Sequence, residues 1–477
     1  MKNDNQPIKV DCFIIGQCEM LISSINLVKD SNILLSEITI SSPGDTQALR
    51  RIAAFTGADY VCICLRPELP ELSRYAMERM IDIARSSGAG MVYSDFYERR
   101  GNTVSPHPLI DYRKGSLRDD FDFGPMALYT SRAFKQAVEL MTSDFRYAAL
   151  YDLRLKISQR SPVAHINEYL YTVSDTSSSS SSHEKQFEYV DPKNRLAQFE
   201  MEQACTDHLK QIGGYLHQSF NKVDFLCDGF KCEASVVIPV RNRVNTIADA
   251  ISSALDQTTD FEYNVIVIDN HSTDGTGDEI RRYCSDRRLI HIIPKDLDLG
   301  IGGCWNEAVM NTSCGKFAVQ LDSDDRYSSR NSLQQIVRAF YDTQSPMIIG
   351  SYQMTDINWN PIPPGLIDHK EWTPYNGHNN ALRINGLGAP RAFFTPIVRH
   401  IKFPNTSYGE DYAMGLRISR DYEIGRIYNV LYDCRRWDGN SDTRLSQQKA
   451  NEYNSYKDNL RTWELEARIR KNKNGNL

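Results

Sequence analysis

Three carboxylates follow a short apolar run in the second half of the chain. The run Phe317–Leu321 leads directly into Asp322, Asp324 and Asp325. A strand here would carry these side chains to the carboxyl edge of a sheet, where open α/β sheets bind their ligands. Asp322 and Asp324 could converge on a hard cation such as Mg²⁺, which takes one or two protein carboxylates and otherwise binds water and phosphate oxygens. The alternative is a strand followed by a polar turn, because acidic residues are common in turns.

Apolar runs that alternate with helical patterns surround these carboxylates. The predicted strands are Ser235–Pro239, Tyr263–Asp269, Leu289–Ile293 and Phe317–Leu321. Apolar residues at helical spacing follow the first strand, and further helices are predicted after the second and the third. Near-continuous apolar strands between helices predict a parallel sheet covered on both faces. Arg241, Asp269 and Asp322 would then lie at one edge and line a nucleotide-sized crevice.

The polar segments at these strand ends resemble a known family. Pro239–Arg243, Asp269–Gly275, Leu321–Asp325 and Gly409–Tyr412, in this order and spacing, are similar to motifs of the family 2 glycosyltransferases of the GT-A fold. The resemblance covers about residues 232–440. Four motifs in register are much more specific than any one of them.

The resemblance implies a donor site on the first two strand ends. Pro239, Val240 and Arg241 would border the nucleoside of a nucleotide-diphospho-sugar, and Asp269 would hydrogen-bond its base. A UDP-sugar and a GDP-sugar both fit this description. The acceptor would be a glycan or a lipid-linked carbohydrate.

It also implies a metal site and a catalytic base. Asp322 and Asp324 would hold the ribose and the metal-bound diphosphate, with Mn²⁺ or Mg²⁺ as the cation. Asp411 would take the proton of the acceptor hydroxyl, and Glu410 is the next candidate. A single base suits direct displacement, so inversion at the anomeric carbon is expected. The alternative for Asp411 is an exposed carboxylate that the helix dipole favours at a helix start.

Two positions depart from the family pattern. Asn306 matches a family asparagine, but the arginine that many members carry before it is replaced by Trp305. Trp437 stands where many members have a histidine near the metal or the phosphates. Arg435 and Arg436 could still clamp the diphosphate through bidentate contacts. The alternative for this pair is a solvated position beside a packed tryptophan.

The first half of the chain contains an echo of the second. Ala149–Ser158 aligns with Glu410–Ser419 without a gap. Two further alignments each need one inserted residue. They join Phe123–Thr130 to Leu387–Thr395, and Gly57–Glu68 to Gly315–Asp325.

The echo has lost the residues that carry chemistry. Leu150 takes the position of Asp411, and Leu65-Arg66-Pro67 takes that of the Asp-x-Asp segment. Arg66 would repel a cation there. The sequence therefore predicts an α/β protein with two tandem GT-A domains, Rossmann-like in their sheets, of which the first is degenerate and joined to the second by a helical linker.

Composition patterns set the predicted boundaries. Domains are expected over residues 1–173 and 232–444, with a linker over 174–231 and a C-terminal helix and tail over 445–477. The linker contains the polar run Ser174–Ser182 and a bridging helix over Asn194–Ile212. The C-terminal helix is expected to pack through a stripe that includes Trp463.

Length, charge and cysteine use are those of a cytoplasmic enzyme. The chain has 477 residues, 41% of them hydrophobic, and a net charge of −6, which argues against general nucleic-acid binding. Eleven cysteines without paired ligand spacing indicate reduced thiols. No apolar leader or membrane span is predicted. The basic tail Arg468–Lys473 is solvated or weakly attracted to anionic lipid at the inner face of the membrane. The first half would help to hold the acceptor or a second subunit in a homodimer.

Two other functions stay open at this point. A sugar-phosphate nucleotidyltransferase would usually have a Gly-rich loop after the first strand, and Pro239–Asn245 lacks glycine. A non-catalytic carbohydrate-binding scaffold would have to explain why only the second half retains Asp322, Asp324, Glu410 and Asp411.

Overall fold

The computed structural model describes residues 6–16, 20–28, 31–41, 44–174, 194–370, 372–437, 439–440 and 445–475. The chain divides into two compact units. Unit 1 contains residues 1–215 and 445–477, and unit 2 contains residues 216–444. Apart from Ser174, the predicted linker run lies outside the described residues.

Unit 1 is built on a nine-stranded mixed sheet within its described residues. Its strands are β1 (Ile8–Ile15), β2 (Leu21–Leu27), β3 (Ile33–Ile40), β4 (Tyr60–Cys64), β5 (Glu71–Leu72), β6 (Met91–Arg100), β7 (Thr103–His107), β8 (Met126–Thr130) and β9 (Val163–Ser174). Its helices in the first part of the chain are α1 (Thr46–Phe55), α2 (Ala76–Ser87), α3 (Ser131–Glu139), α4 (Ala149–Ser158) and α5 (Arg195–Gln211).

Unit 2 has a second sheet of nine strands within its described residues. The strands are β10 (Ala234–Val240), β11 (Tyr263–Asp269), β12 (Leu289–Ile292), β13 (Phe317–Gln320), β14 (Arg326–Tyr327), β15 (Met347–Thr355), β16 (Pro361–Ile367), β17 (Arg391–Phe394) and β18 (Ile424–Arg435). The helices are α6 (Ile247–Leu255), α7 (Thr276–Arg281), α8 (Ile301–Met310), α9 (Ser332–Thr343), α10 (Gly377–Asn380), α11 (Thr395–Ile401) and α12 (Glu410–Ser419).

The strands that position the site are parallel neighbours. In unit 2 the order is β12-β11-β10-β13-β17-β15-β18-β14, with β16 paired to β15. β10 pairs in parallel with both β11 and β13, as the apolar runs predict, while β17 is antiparallel to β13. All four residues of β13 are buried. The carboxyl ends of β10, β11 and β13 therefore open at the same edge of the sheet.

The two sheets repeat one topology. The order in unit 1 is β2-β3-β1-β4-β8-β6-β9-β5, with β7 paired to β6. From the second place in this order, β3, onward, each strand of unit 1 has a counterpart at the same place in unit 2. Corresponding neighbours pair in the same direction, parallel or antiparallel. The outermost strand differs, because β2 is antiparallel to β3 whereas β12 is parallel to β11. Shared topology over eight strands confirms the tandem α/β repeat.

Strand pairing also fixes how the copies align. In unit 1, Tyr60 of β4 pairs with Thr130 of β8, and α3 begins at the next residue. In unit 2, Phe317 of β13 pairs with Phe394 of β17, and α11 begins at the next residue. The copies therefore align here without the inserted residues that sequence comparison needs. In this register, Leu65 and Pro67 stand at the places of Asp322 and Asp324, as predicted.

The C-terminal helix α13 (Gln447–Gly475) belongs to unit 1 and packs through charged residues. Trp463 of the predicted stripe is 59% exposed, whereas Asp458 and Arg461 are fully buried. Ser116 Oγ and the Arg461 guanidinium each donate to the Asp458 carboxylate at 2.8 Å. Tyr453, Tyr456 and Leu460 of the stripe are half-buried, so the predicted stripe packs in part, and buried, hydrogen-bonded charges share the contact. In the described part of the chain, no helix combines the length and apolar character of a membrane span.

Candidate active site

A cleft of about 280 Å³ lies in unit 2 at the carboxyl edge of the sheet. It is called the central cleft below. Carboxylates enter it from two sides. Asp322, Asp324 and Asp325 lie in the turn after β13, and Glu410 and Asp411 begin α12. The structure thus brings together the acidic groups that the sequence places almost ninety residues apart.

Each carboxylate after β13 is held by a neighbouring side chain or main chain. Gln320 Nε2 donates to both oxygens of Asp322, at 2.9 and 3.0 Å. Asn440 Nδ2 donates to Asp324 Oδ2 at 3.2 Å, and Arg243 Nε lies 3.6 Å from the same oxygen. The buried carboxylate of Asp325 accepts a main-chain N–H bond of 2.8 Å. These contacts fix the directions of three acidic groups within one turn.

Burial and mutual repulsion make this turn ready for a cation. Burial raises the pKa of Asp322, and Asp324 adds to the rise. Burial, Asp324 and Asp322 together raise the pKa of Asp325 well above its ordinary value. A divalent cation would relieve this repulsion, and carboxylate oxygens suit Mg²⁺ or Mn²⁺. In the described ranges, no three potential ligands gather as a complete metal site. A cation that also binds substrate phosphate needs only one or two protein carboxylates.

The other side of the central cleft carries the candidate base. Asp411 Oδ2 forms an ion pair of 2.7 Å with Arg391 Nη1. Glu410 is only 8% exposed, and its Oε2 atom makes no hydrogen bond. Burial, followed by repulsion from Asp411, raises the pKa of Glu410 to about 8. At neutral pH the Glu410 carboxyl is therefore mostly protonated.

The two arginines of the predicted clamp point to different places. Arg436 lines the central cleft. The Arg435 guanidinium instead bonds Asp249 and lies 3.7 Å from the centroid of the Trp359 ring. Arg435 is absent from the lining of the central cleft, so a clamp formed by both side chains is not the arrangement found. Arg435 ends β18 and Arg436 follows it with its N–H still bonded to the Thr355 carbonyl, so neighbouring side chains face opposite ways there as along a strand.

The residues predicted to bind the nucleoside are only partly in the central cleft. Pro239 lines it, and Arg241 is exposed beside it in sequence. Val240 is buried at the end of β10, next to Asp269 in the strand ladder. Asp269 Oδ1 accepts the main-chain N–H of Ser272 at 3.0 Å, so this carboxylate braces its own loop. These four residues lie at two adjacent strand ends, outside or at the rim of the carboxylate cluster.

Asn306 has a structural role in this conformation. Its Nδ2 donates to the Phe403 carbonyl and its Oδ1 accepts the Phe403 N–H, both at 2.9 Å. Both amide atoms are thus bonded to one main-chain unit, and Asn306 is not among the residues that line the central cleft. The adjacent Trp305 lines it and packs against Phe393 and Phe403. An apolar wall therefore replaces the polar contact that an arginine would make.

Sequence reasoning missed five polar residues of the central cleft, namely Arg243, Gln320, Ser323, Arg391 and Asn440. Gln320 offered a signal, because a lone amide in a buried run, two residues before Asp322, points to the same face. No sequence signal other than its charge marks Arg391 as a cleft residue, because its position depends on the antiparallel pairing of β17 with β13.

Comparison with known proteins agrees with this geometry. Residues 235–401 match the family model described as Glycosyl transferase family 2. A poly(ribitol-phosphate) beta-glucosyltransferase of Bacillus spizizenii is 25% identical over 209 residues, which are 42% of this chain and 32% of that protein. The putative teichuronic acid biosynthesis glycosyltransferase TuaG of Bacillus subtilis is 30% identical over 102 residues, 21% of this chain and 40% of that protein.

The chain thus spans between a third and two fifths of the length of these curated relatives. Among solved structures, S. aureus TarS 1-349 in complex with UDP-GlcNAc has 20% sequence identity and a TM-score of 0.37. That match covers 45% of this chain and 62% of the other. The family match contains the Asp322–Asp325 side of the central cleft, whereas Glu410, Asp411 and Arg436 follow the matched residues. Residues 235–401 of unit 2 are therefore similar to the family 2 glycosyltransferases.

Proposed function

We propose that unit 2 transfers a sugar from a nucleotide-diphospho-sugar to a hydroxyl acceptor, with inversion at the anomeric carbon. The observation that carries this proposal is the central cleft itself. It brings the Asp322–Asp325 turn, which lies in the part of unit 2 that matches Glycosyl transferase family 2, together with Glu410 and Asp411, which follow that part. One group of carboxylates suits a metal-bound diphosphate, and the other suits an attacking hydroxyl.

On the donor side, Asp322 and Asp324 would hold a divalent cation, Mn²⁺ or Mg²⁺. The cation, when bound, neutralises the charge of the diphosphate leaving group. Arg436 and Arg243 line the same cleft and add positive charge that a diphosphate can contact. Pro239, Val240, Arg241 and Asp269 would border the nucleoside from the adjacent strand ends.

On the acceptor side, Asp411 is the better candidate for the base. The raised pKa of Glu410 leaves that carboxyl largely protonated at neutral pH, so only a minor fraction of it can accept a proton there. Arg391 lies against Asp411 and favours the charged form of its carboxylate. Asp411 would therefore accept the proton of the acceptor hydroxyl as the oxygen attacks the anomeric carbon from the face opposite the leaving group.

The names of the relatives guide the choice of acceptor. Poly(ribitol-phosphate) and teichuronic acid are both polyhydroxylated anionic polymers. We propose a glycan or lipid-linked acceptor of that chemistry, and either a UDP-sugar or a GDP-sugar as donor. A cytoplasmic location, a homodimer and weak contact of the basic tail with a membrane stay predictions.

For unit 1 we propose a non-catalytic role. It has a cavity of about 80 Å³ whose lining includes Ile63, Leu65, Ala127 and Leu150. By strand register and by the alignment of α4 with α12, these residues stand where Gln320, Asp322, Arg391 and Asp411 stand in unit 2. An apolar cavity of this size supports neither a metal nor a diphosphate.

The test is a donor panel with the full chain. Purified protein with Mn²⁺ is incubated with UDP-, GDP- and TDP-sugars, and release of the nucleoside diphosphate is followed. We expect slow hydrolysis of one donor and faster release once a polyhydroxylated acceptor is added. Pyrophosphate release from a nucleoside triphosphate and a sugar 1-phosphate would instead indicate a nucleotidyltransferase. Carbohydrate binding without any turnover would indicate a scaffold.

A further inference from the structure

Arg391 lines the central cleft and is linked to both of its acidic sides, to Asp411 directly and to Asp322 through Gln320. Its Nη1 atom is 2.7 Å from Asp411 Oδ2 and donates to the Gly388 carbonyl at 2.8 Å. Its main-chain N–H donates to Gln320 Oε1 at 3.0 Å. Gln320 in turn holds both oxygens of Asp322. A continuous series of contacts thus joins the donor-side carboxylate to the candidate base.

The guanidinium is held in a shielded place. Arg391 belongs to β17, and its side chain is only 18% exposed. The charges that act on it are those of Asp411 and Glu410 from α12 and of Asp322 from the turn after β13, and the Tyr432 hydroxyl of β18 adds a smaller electrostatic effect. The Arg391 cation therefore interacts with three acidic groups. It forms an ion pair with Asp411, and this pair fixes the direction of the carboxylate.

Unit 1 supplies an internal comparison. The register of β4 with β8 places Ala127 where Arg391 stands, and Ile63 where Gln320 stands. Leu150 stands at the place of Asp411, because α4 aligns with α12 without a gap. Unit 1 thus lacks counterparts of the Asp322 and Asp411 carboxylates and also of Arg391 and Gln320. Joint loss is expected if these four residues act together, because an arginine buried without an acidic partner is destabilising.

We propose that Arg391 is a positioning residue, which holds the Asp411 carboxylate in its charged form and aims one oxygen at the acceptor hydroxyl. The description of Asp411 as a base rests on the proposed function, whereas the ion pair itself does not. The 2.7 Å ion pair with Arg391 restricts the direction of the Asp411 carboxylate. Without Arg391, Asp411 would lose this ion pair while Glu410 stays adjacent to it, and like charges disfavour ionisation.

The kinetic test compares Arg391→Met and Arg391→Lys with the wild type. Arg417→Met is the matched control, because Arg417 lies on α12 and pairs with Asp421 outside the central cleft. We expect Arg391→Met to lower kcat by roughly tenfold to a hundredfold with little change in the donor KM. The acid limb of its pH–rate profile should move to higher pH. Arg391→Lys should restore part of kcat, because it retains the charge without the fork geometry.

A second measurement separates this inference from the proposed function. Thermal unfolding of Arg391→Met, Asp411→Asn and the double variant gives a cycle that needs no activity. We expect the Asp411→Asn change to shift Tm less in the Arg391→Met background than in the wild type. Additive shifts would show that the pair does not form in solution and would overturn the inference. So would an active Arg391→Met enzyme with wild-type kcat and pH profile. A coupled pair in a protein that hydrolyses no donor would instead refute the proposed function alone.

Discussion

The indole of Trp437 donates to a carboxylate oxygen of Asp324, with its Nε1 atom 3.4 Å from Oδ2. Many family 2 members are expected to have a histidine at this position, by the resemblance of Cys434–Ser441 to the family pattern. A tryptophan offers one neutral N–H and no metal-binding lone pair. The consequence is that Asp324, rather than Trp437, would have to bind a cation at this end of the central cleft.

The first prediction concerns that cation. Asp324→Ala should weaken sugar-nucleotide binding on the order of a hundredfold, because a bound cation contributes several kcal/mol to the stabilisation of diphosphate charge. Calorimetry with a UDP-sugar and a GDP-sugar, in Mn²⁺ and in EDTA, measures the effect. Asp256→Ala is the control, since this exposed carboxylate of unit 2 pairs with Arg330 at the surface. Wild-type affinity that is unchanged in EDTA would contradict the metal site.

The second prediction concerns the base. Asp411→Asn should retain donor and metal binding but lose about a hundredfold to ten-thousandfold in transfer, because the amide is nearly isosteric and only the proton acceptor is gone. Single-turnover kinetics and calorimetry on the same preparation separate the two effects. Near-normal turnover would move the base to another group, and Glu410→Gln would then be the variant to measure.

The third prediction concerns Glu410 and pH. Its pKa rises from 4.5 to about 8 on folding, chiefly through burial, so the native state holds a proton that the unfolded chain releases. This group therefore favours the native state least above pH 8, and its contribution falls as pH rises from about 4.5 to 8. Glu410→Gln removes the dependence. Its Tm should exceed that of the wild type at pH 8, and the difference should shrink towards pH 5.

Melting curves across this range check the sign. Glu279→Gln is a suitable control, because this glutamate pairs with Arg282 on α7, away from the central cleft. A Tm difference between Glu410→Gln and the wild type that is constant from pH 5 to pH 8 would show that Glu410 ionises normally.

The sequence predicts the strand ends and acidic motifs of this protein better than it predicts the residues that contact and orient the acidic groups. β11 has the bounds that its apolar run predicts, and Asp322, Asp324, Glu410 and Asp411 all reach one cleft. Short motifs can be predicted from the sequence because their functional residues lie within a few positions of one another. The position of Arg391 cannot be predicted in this way, because it depends on pairing between strands about seventy residues apart.

Long-range contacts also explain the errors. Asn306 looks like a ligand-binding amide, yet it is used by the main chain of Phe403, nearly a hundred residues away. The spacing of aromatic residues on α13 predicts an apolar stripe, but Asp458 and Arg461 also find buried partners in unit 1 and share the contact. The spacing of apolar residues predicts which face of a helix could be buried. It does not show whether charged residues on another face have enough hydrogen-bond partners to be buried as well.

The fourth prediction separates the two neighbouring arginines. Arg436→Met should raise the donor KM about tenfold or more, because it removes a cleft cation that can contact phosphate, while Tm changes little. Arg435→Met should do the reverse and lower Tm, because the Arg435 side chain is buried against Trp359 and pairs with Asp249. Steady-state kinetics and thermal unfolding of both variants test the pair together. A larger donor KM effect for Arg435→Met would show that its side chain enters the cleft when the donor binds.

The last prediction concerns unit 1 in the intact chain. A full-length Asp324→Ala and Asp411→Asn double variant removes the tight sugar-nucleotide site of unit 2. We expect no binding of wild-type affinity in calorimetry with Mn²⁺, because Leu65 and Pro67 of unit 1 offer no ligand where the carboxylates stand in unit 2. Leu65→Asp in the otherwise wild-type chain serves as a companion. Leu65 is 43% exposed, and a single carboxylate there, without a second ligand, should not add a binding site. Saturable donor binding by the double variant, with the affinity of the wild type, would show that the first copy has kept a working site.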